Sequence, residues 1–452
     1  MHKRSRKMKS QIFLLGAAFT AVFFVSFLIH SDGTSTSRLD WTSTRTRNGA
    51  FPTYYAAANN TTSYPLILND SDWSSACATT TRKSSESHRI WGEDSLRMRI
   101  SAVREKSSCD LFSGKWVYDN ESHPLYDEGG CPYMSDQLAC RKHGRPDMDY
   151  QKWRWKPHNC SLKRWNATEM LEKLRNKRLM FVGDSLNRGQ WISMVCLLQS
   201  VIPNGKKSMS PNAELTIFKA NDYNATVEFY WAPLLVESNS DDPVNHRLEH
   251  RIIRPDSIVK HTSQWEGADI LVFNTYLWWR SGSMIKLLGQ EHGVCFEEQG
   301  AEAMKLALNT WAEWVSSSSS SSSEEIKKQI FYVTMSPTHL WSWEWDSAGK
   351  EGNCYGEKAP IEKEGYWGTG SDLSTMRMVD DVLNKLGSKV SVLNITQLSE
   401  YRKDGHPSTY RKFWEIFSQK QLANPTSYAD CIHWCLPGVP DTWNELLYQH
   451  LL

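Results

Sequence analysis

A run of apolar residues that ends in Gly183-Asp184-Ser185 limits the fold of this chain more than any other feature. Residues 178–182 (RLMFV) have the composition of a buried strand, and residues 186–201 carry apolar side chains at helical spacing. A strand, a sharp turn and a helix in this order are typical of an α/β sheet, in which the turn lifts its serine to the carboxyl edge. The sequence therefore predicts an α/β fold with Ser185 at a sheet edge.

The rest of the chain continues this alternation. Further strands are predicted at 269–273, 330–334 and 389–393, and further helices near 297–315 and 371–386. Such alternation favours a mostly parallel sheet with crossover helices. Asn274 directly follows one of these strands, so we expect it at the same edge as Ser185.

A second motif, Asp430-Cys431-Ile432-His433, lies far along the chain. A serine hydroxyl needs a neighbouring imidazole to take its proton, and the imidazole needs a carboxylate to fix its tautomer. Asp430 and His433 are three residues apart, so one turn of chain can present both on the same side. If the fold brings this turn to Ser185, the chain is an acyl-transfer enzyme.

Each motif also has a purely structural interpretation. Gly183-Asp184-Ser185 is typical of a turn in which Asp or Ser caps a helix. A disulfide-rich structural turn explains Cys431 and Cys435, but it does not explain the pairing of Asp430 with His433. Bridges at the two cysteines would also hold the imidazole rigidly, as catalytic geometry requires.

The N-terminal region predicts a membrane anchor. Residues 12–29 are about 18 apolar, uncharged positions, near the lower limit for a spanning helix, and five Lys and Arg side chains precede them. The positive-inside rule then gives a cytosolic tail at 1–10, a signal anchor at 11–30 and a lumenal remainder. The short span favours early secretory membranes, and we expect a single-pass type II protein of the Golgi membrane. The alternative, a cleaved signal peptide, lacks a small-x-small cleavage site.

Cysteines and glycosylation motifs agree with a lumenal chain. The sequence has ten cysteines, which predict disulfides in an oxidising compartment. Cys431, His433 and Cys435 alternate as in a zinc cluster, but no second pair at ligand spacing accompanies them, and we expect no metal. The N-glycosylation motifs lie at Asn60, Asn69, Asn120, Asn166, Asn224 and Asn394.

Composition divides the chain into a stem and a catalytic domain. Residues 31–105 are rich in Ser, Thr and Asn and predict a flexible lumenal stem, followed by a catalytic domain at 106–452. The Cys-rich start of that domain, up to about Trp165, predicts a disulfide-stapled lobe. Eight consecutive serines at 316–323 predict a surface insertion without function. The net charge of +1 gives no electrostatic case for nucleic acid.

The 21 tryptophans leave a non-catalytic alternative open. Indole rings offer a flat apolar face with one polar edge, which suits stacking on sugar rings. The chain could then be a glycan-binding protein. Core burial is nevertheless the better interpretation for most of these side chains, so we expect only a few tryptophans in a glycan groove.

Several longer segments resemble one plant family. They are CDLFSGKWVYDN from Cys109, CPYMSDQLAC from Cys131, WRWKPHNC from Trp153, VGDSLNRGQW from Val182 and DCIHWCLPGVPDTWNELL from Asp430. Together they resemble the trichome-birefringence-like family of Golgi polysaccharide O-acetyltransferases, from about Cys109 to the C-terminus. YRKDGHPSTYRKFW from Tyr401 and NCYGEKAPI from Asn353 look most like its xylan O-acetyltransferases.

The resemblance implies a fold and a set of bridges. The fold is an SGNH-hydrolase-like three-layer sandwich with a mostly parallel central sheet and a minor disulfide-stapled lobe. Four disulfides are implied, leaving Cys77 and Cys295 over: Cys109–Cys160, Cys131–Cys196, Cys140–Cys435 and Cys354–Cys431.

The resemblance also implies site residues and a substrate. Ser185 would be the nucleophile, His433 the general base and then acid, and Asp430 its orienter. By analogy with SGNH enzymes, Asn274 would stabilise the oxyanion together with the Ser185 N–H, next to the turn residues Gly183 and Asp184. Arg188, one turn into the helix, would either add positive charge near the oxyanion or be a solvated or sheet-capping arginine. The acceptor would be xylan, with no bound cofactor and an acetyl donor such as acetyl-CoA as co-substrate. A carbohydrate acetylesterase with the same triad is the alternative, since water and a sugar hydroxyl are interchangeable acceptors.

Overall fold

The computed structural model describes residues 80–81, 109–212, 214–246, 248, 250–280, 284–289, 294–318, 328–346 and 351–452. The predicted tail and anchor, most of the predicted stem, part of the serine run, Asn60, Asn69 and Cys77 lie outside these residues. Within the described ranges, no helix combines the length and apolar character needed to cross a membrane.

The strands of the described chain are β1 (Thr80–Thr81), β2 (Gly114–Tyr118), β3 (Trp153–Pro157), β4 (Arg178–Gly183), β5 (Lys207–Asn212), β6 (Leu215–Ala220), β7 (Ala225–Trp231), β8 (Arg251–Ile253), β9 (Ile270–Asn274), β10 (Ile285–Leu288), β11 (Val294–Glu298), β12 (Gln329–Val333) and β13 (Ser391–Leu393).

The helices are α1 (Ala167–Lys173), α2 (Ser185–Gln199), α3 (Val259–Trp265), α4 (Leu277–Arg280), α5 (Gly300–Ser318), α6 (Leu373–Leu386), α7 (Thr396–Glu400), α8 (Gln419–Leu422) and α9 (Val439–Leu451). Short 3-10 turns link several of them.

Seven strands form the central sheet, in the order β13-β12-β9-β4-β7-β6-β5. The first five run parallel, and they include all four strands that the sequence predicted. β6 and β5 add antiparallel pairs at one edge, so the sheet is mixed. The sequence prediction missed β5, β6 and β7, because no α-helix separates these three strands and they do not continue the strand-helix alternation.

Helices cover both faces of this sheet. Phe229 and Tyr230 are neighbours on β7, and their side chains point to opposite faces. Phe229 packs on Trp191 of α2, whereas Tyr230 packs on Trp265 of α3. The buried Trp311 of α5 lies on the same face as α3, because both helices contact one side chain of β9. The predicted helices at 185–201, 297–315 and 371–386 correspond to α2, α5 and α6.

Two smaller sheets flank the centre. β2 and β3 form an antiparallel pair in the Cys-rich lobe, and the Trp116 indole of β2 donates to Leu398 O in α7 at 2.7 Å. The other sheet has the order β1-β11-β10-β8. Its first strand comes from the region predicted to be a flexible stem: Thr80 and Thr81 pair in parallel with Val294 and Cys295. These two residues of the predicted stem therefore take part in a sheet.

The disulfides match the predicted pairs. The structure contains Cys109–Cys160, Cys131–Cys196, Cys140–Cys435 and Cys354–Cys431. Cys295, which the family pattern left over, is also disulfide-bonded. No free cysteine occurs in the part of the chain that the structure describes.

The four predicted glycosylation motifs within the described residues all present exposed asparagines: Asn120, Asn166, Asn224 and Asn394. The side chain of Asn166 accepts a hydrogen bond from Glu169 N and caps α1 through its oxygen. This hydrogen bond does not involve the amide nitrogen of Asn166, to which a glycan would be attached.

Candidate active site

The turn between β4 and α2 presents Ser185. β4 ends at Gly183, where an added Cβ would lie 2.1 Å from the carbonyl oxygen of Asn274, so only glycine permits this approach of the strands. Asp184 caps α2, since its carboxylate accepts from Leu186 N at 2.8 Å. The capping interpretation is therefore right for Asp184, while Ser185 is the first residue of the helix.

The side chain of Asn187, which sequence reasoning missed, holds α2 against two strands. Its amide donates to Val182 O on β4 and to Val272 O on β9, both at 3.1 Å. The residue is buried, and both carbonyls lie near the carboxyl edge of the sheet. This contact fixes the first turn of the helix that carries Ser185.

Ser185, His433 and Asp430 form one hydrogen-bonded chain. Ser185 Oγ lies 2.8 Å from His433 Nε2, and His433 Nδ1 lies 2.8 Å from Asp430 Oδ2. This is the order of contacts that a nucleophile, a base and an orienting carboxylate require. The two motifs, 248 residues apart, therefore meet as the sequence predicted.

Asp430 receives donors on both oxygens. Oδ1 accepts from Ile432 N at 3.1 Å and from His433 N at 3.0 Å. Oδ2 accepts from the imidazole and forms an ion pair with Arg411, whose Nη1 also lies 3.4 Å from His433 Nδ1. Arg411 lies within a segment quoted for the family resemblance, but sequence reasoning gave it no role.

The turn that carries Asp430 and His433 is clamped from several sides. The bonds of Cys431 to Cys354 and of Cys435 to Cys140 flank His433. Asp430 also exchanges backbone hydrogen bonds with Ser408, at 3.0 Å in each direction. The predicted rigid support of His433 is thus present, with contributions from distant parts of the chain.

A pair of buried histidines lies behind His433. Their contacts run in sequence from Glu400 O to His339 Nε2 (2.9 Å), from His339 Nδ1 to His406 Nε2 (2.7 Å) and from His406 Nδ1 to His433 O (2.7 Å). The carbonyls supply no hydrogens, so three complete hydrogen bonds need three N–H groups, whereas two neutral imidazoles have two. Burial lowers the pKa of His339 to about 4 and holds that of His406 well below its usual value. At neutral pH the pair therefore has two hydrogens for three contacts.

Asp184 is a buried carboxyl beneath the triad. Burial raises its pKa from 3.8 to about 6, although the hydrogen bond from Leu186 N and the positive charge of a protonated His433 act in the opposite direction. Its Oδ2 has no hydrogen-bond partner among the described residues. Asp184 thus titrates close to the pH range of the secretory compartments that the sequence predicted.

Arg188 lies one turn into α2. Its Nη2 donates to Gln137 Oε1 at 2.6 Å, which joins the Cys-rich lobe to the helix behind Ser185. Burial lowers the pKa of the guanidinium. Within the described ranges, no carboxylate forms an ion pair with it.

Asn274 makes hydrogen bonds that the sequence did not predict. Its amide nitrogen donates to Val333 O at 3.0 Å and to Thr334 O at 3.2 Å. These buried carbonyls at the end of β12 need donors, and together they use both amide hydrogens. Asn274 therefore joins β9 to β12 through its amide nitrogen, while its role as an oxyanion donor stays a prediction.

Most tryptophans lie in the core, as predicted. Trp155, Trp278 and Trp279 are buried, while Trp343 is 53% exposed and Trp414 is 58% exposed. Trp414 follows Arg411 by three residues and thus lies on a segment that begins at the triad. Cys431 and Cys435 are both bridged, so they offer no thiolate to a metal.

The site and fold define a class of protein, and comparison with known families agrees. Residues 162–450 match PC-Esterase, described as a GDSL/SGNH-like acyl-esterase family found in Pmr5 and Cas1p. Residues 107–161 match the PMR5 N-terminal domain, which corresponds to the Cys-rich lobe. The chain belongs to this GDSL/SGNH-like acyl-esterase family, and the prediction of an acyl-transfer enzyme is confirmed at that level.

Individual relatives refine the resemblance. The chain is 68% identical to trichome birefringence-like 35 of Arabidopsis thaliana, over 77% of each chain. It is 53% identical to trichome birefringence-like 34 of Arabidopsis thaliana, over 76% of this chain and 85% of the relative. It is 47% identical to xylan O-acetyltransferase 14 of Oryza sativa subsp. japonica, over 79% of this chain and 80% of the relative. The similarity to the trichome-birefringence-like family is thus confirmed.

Proposed function

We propose that this protein transfers acetyl groups onto xylosyl hydroxyls of xylan through an acetyl-Ser185 intermediate. The observation that supports this proposal most directly is the chain of contacts from Ser185 Oγ through His433 to Asp430. Similarity to proteins named xylan O-acetyltransferases supports the choice of reaction and acceptor.

In the first step, His433 Nε2 takes the hydroxyl proton as Ser185 Oγ attacks the acetyl carbonyl of the donor. A tetrahedral oxyanion forms. It collapses when the bond to the leaving group breaks, and His433 returns its proton to that group. Asp430 stabilises the transient imidazolium and keeps Nδ1 protonated.

In the second step, a sugar hydroxyl replaces the leaving group. His433 takes its proton, the sugar oxygen attacks the acetyl-Ser185 carbonyl, and the new oxyanion collapses to release Ser185. The proton on His433 returns to Ser185 Oγ, so the enzyme is regenerated and the sugar carries the acetyl group.

The oxyanion faces the start of α2. The N–H of Ser185 has no acceptor among the described residues and lies at the positive end of the helix dipole. One such donor contributes about 3 kcal/mol to transition-state stabilisation in comparable sites. Arg188 supplies a second positive group from the same helix.

The setting follows from the same proposal. The acetyl donor, such as acetyl-CoA, is a co-substrate and not a resident cofactor. A single-pass anchor at 11–30 would keep the catalytic domain in the Golgi lumen, in keeping with the disulfides and the exposed glycosylation motifs.

Hydrolysis is the second candidate. The side chain of His433 is 21% exposed, so water can reach the base, and the matching family is described as acyl-esterase. Water would then take the place of the sugar hydroxyl in the second step. Transfer requires that the bound polysaccharide exclude that water.

The test uses the purified full-length chain, an acetyl donor and xylo-oligosaccharides, with products analysed by mass spectrometry. We expect acetylated oligosaccharide with the unmodified chain, and neither product nor an acetyl adduct at residue 185 with Ser185→Ala. Ser263→Ala, an exposed serine on α3, is the matched control and should keep full activity.

Retained transfer in Ser185→Ala would refute the covalent scheme. Free acetate in place of acetylated oligosaccharide would assign the chain to the esterase alternative. Oligosaccharide binding without any acylation of Ser185 would favour the non-catalytic glycan-binding alternative.

A further inference from the structure

Arg411 shares the triad carboxylate with His433. Its guanidinium pairs with Asp430 Oδ2, the same oxygen that accepts from the imidazole, and its Nη1 lies 3.4 Å from His433 Nδ1. The side chains of Arg411 and Asp430 are only 9% and 7% exposed. Solvent therefore screens their interaction weakly.

All acceptor positions of Asp430 are occupied. A carboxylate has about four lone-pair sites, and here two backbone N–H groups, one imidazole and one guanidinium fill them. Donors of this kind favour the ionised form. These four donors hold the Asp430 carboxyl in a single orientation.

Arg411 weakens the effect that the negative charge of Asp430 has on the protonation of His433. A carboxylate alone stabilises the imidazolium that forms when His433 accepts a proton. The positive charge of Arg411 on the same oxygen offsets part of that effect, so the neutral imidazole is favoured at a given pH. Only the neutral form can take the proton of Ser185.

Other charged and titratable groups also face His433. They are Asp184 below the turn, His406 behind it and Arg145, which donates to His406 O at 2.8 Å. Each keeps its place when Arg411 alone is replaced. The effect of Arg411 can therefore be separated from theirs.

We propose that Arg411 is a positioning residue that keeps His433 in its proton-accepting form and so extends activity toward acid pH. The inference rests on the proposed function of the triad. Arg411 supplies a charge that a Ser-His-Asp arrangement does not itself require. Activity that extends toward acid pH suits a compartment more acidic than the cytosol.

A simpler role for Arg411 would be to hold the chain in place. Its guanidinium lies 5.5 Å from the ring centre of Phe413, and its Nε donates to Lys412 O at 3.4 Å. Loss of such contacts would lower stability but would leave the pH dependence of the folded enzyme unchanged. The pH profile therefore distinguishes the two roles.

The experiment measures kcat/KM for acylation by p-nitrophenyl acetate from acid to alkaline pH, using the full-length chain and the isosbestic wavelength of nitrophenol. This ratio reports the ionisation of the free enzyme. Arg411→Gln removes the charge and keeps hydrogen bonding, whereas Arg411→Lys keeps the charge. Lys412→Gln is the matched control, because it removes the same charge from the next residue, whose side chain is 49% exposed.

We expect the acid limb of Arg411→Gln to move toward higher pH by about one unit, the lower end of the effect of a charge within 4–6 Å. The acid limbs of Arg411→Lys and Lys412→Gln should stay close to that of the unmodified chain. An unmoved limb in a folded, active Arg411→Gln overturns the proposal. So does an equal shift in Arg411→Lys, or inactivity of both Arg411 variants when both are folded by circular dichroism.

Failure of the proposed function gives a different result. If the unmodified chain is not acylated at Ser185, the triad mechanism itself fails. If it is acylated normally and only the Arg411 variants behave differently from expectation, the failure concerns Arg411 alone.

Discussion

The two halves of the triad are held in place by different means. Ser185 is positioned by regular structure close in sequence: β4, the glycine turn, the Asp184 cap and the Asn187 contacts. His433 lies on a turn without a helix or strand, held by disulfides, a histidine pair and an ion pair. Sequence separations of its disulfide partners reach 295 residues.

This difference shows that the side chains of one site can be held in position in two ways. Ser185 is held in position by the sheet, which the hydrophobic core already stabilises. The imidazole of His433 is held in position by individual long-range contacts, each of which can be removed with little effect on the sheet. Substitutions among the contacts that hold His433 should therefore change the rate more than substitutions among the contacts that hold Ser185, which should mainly change stability.

The largest effect should come from removing the disulfide next to His433. Cys354→Ser with Cys431→Ser frees the turn, and misplacement by about 1 Å can lower a rate about 100-fold. We expect a loss of that order in kcat/KM for acylation, measured below the unfolding transition.

Cys109→Ser with Cys160→Ser is the matched control. The two bridges close loops of 77 and 51 residues, so chain entropy predicts a similar loss of about 4 kcal/mol in each case. The control should lose stability and keep most of its kcat/KM. Equal losses of rate in the two variants would show that the clamp has no special role.

A smaller effect should follow from replacing His406. His406→Leu removes the donor to His433 O, which is partly buried, and leaving a buried carbonyl unpaired costs about 1–3 kcal/mol. We expect kcat/KM to fall about tenfold, since about 1.4 kcal/mol corresponds to a factor of ten.

His406→Asn should restore much of this loss. Its amide nitrogen can take the position of Nδ1 and donates irrespective of tautomer, which removes the shortage of hydrogens in the histidine pair. The measurement compares kcat and KM for the three proteins. If the Leu and Asn variants behave alike, the donor to His433 is not what His406 provides.

The smallest effect on rate should come from the serine side, at Asp184. Its pKa is raised in the folded protein, so folding disfavours the ionised form, and stability is lost as pH rises from about 4 to about 6. Asn caps helices as well as Asp does. Asp184→Asn should therefore remove this loss and raise the free energy of unfolding near pH 7 by up to roughly 3 kcal/mol.

Urea unfolding at pH 4, 5, 6 and 7 measures this change, and acylation kinetics should differ little from those of the unmodified chain. A variant that is less stable than the unmodified chain at pH 7 would contradict the account. A large loss of rate would place Asp184 with the histidine side of the comparison.

The contrast between local structure and long-range contacts also explains which features could be predicted from the sequence. The strand at 178–182 and the helix that follows were predictable because their apolar periodicity is local. The Asp430 and His433 pair was predictable because its members are three residues apart and have a recognised chemistry. The disulfides came from the family resemblance, not from spacing.

Contacts made only in three dimensions were out of reach. Arg411 approaches Asp430 across 19 residues without a periodic pattern, and His339 meets His406 across 67. Asn274 was placed correctly at the edge of the sheet, but the direction of its amide depends on the carbonyls of β12. Position along a strand can be predicted, whereas the partner of a side chain there cannot.

The disulfide between Cys140 and Cys435 joins two residues that are synthesised at different times. At about 5–20 residues per second, 295 residues separate the synthesis of the two thiols by roughly 15–60 s. The Cys140 thiol is therefore made well before its partner, and other cysteines are made in the interval. The turn that carries His433 would then acquire its second disulfide clamp late in maturation.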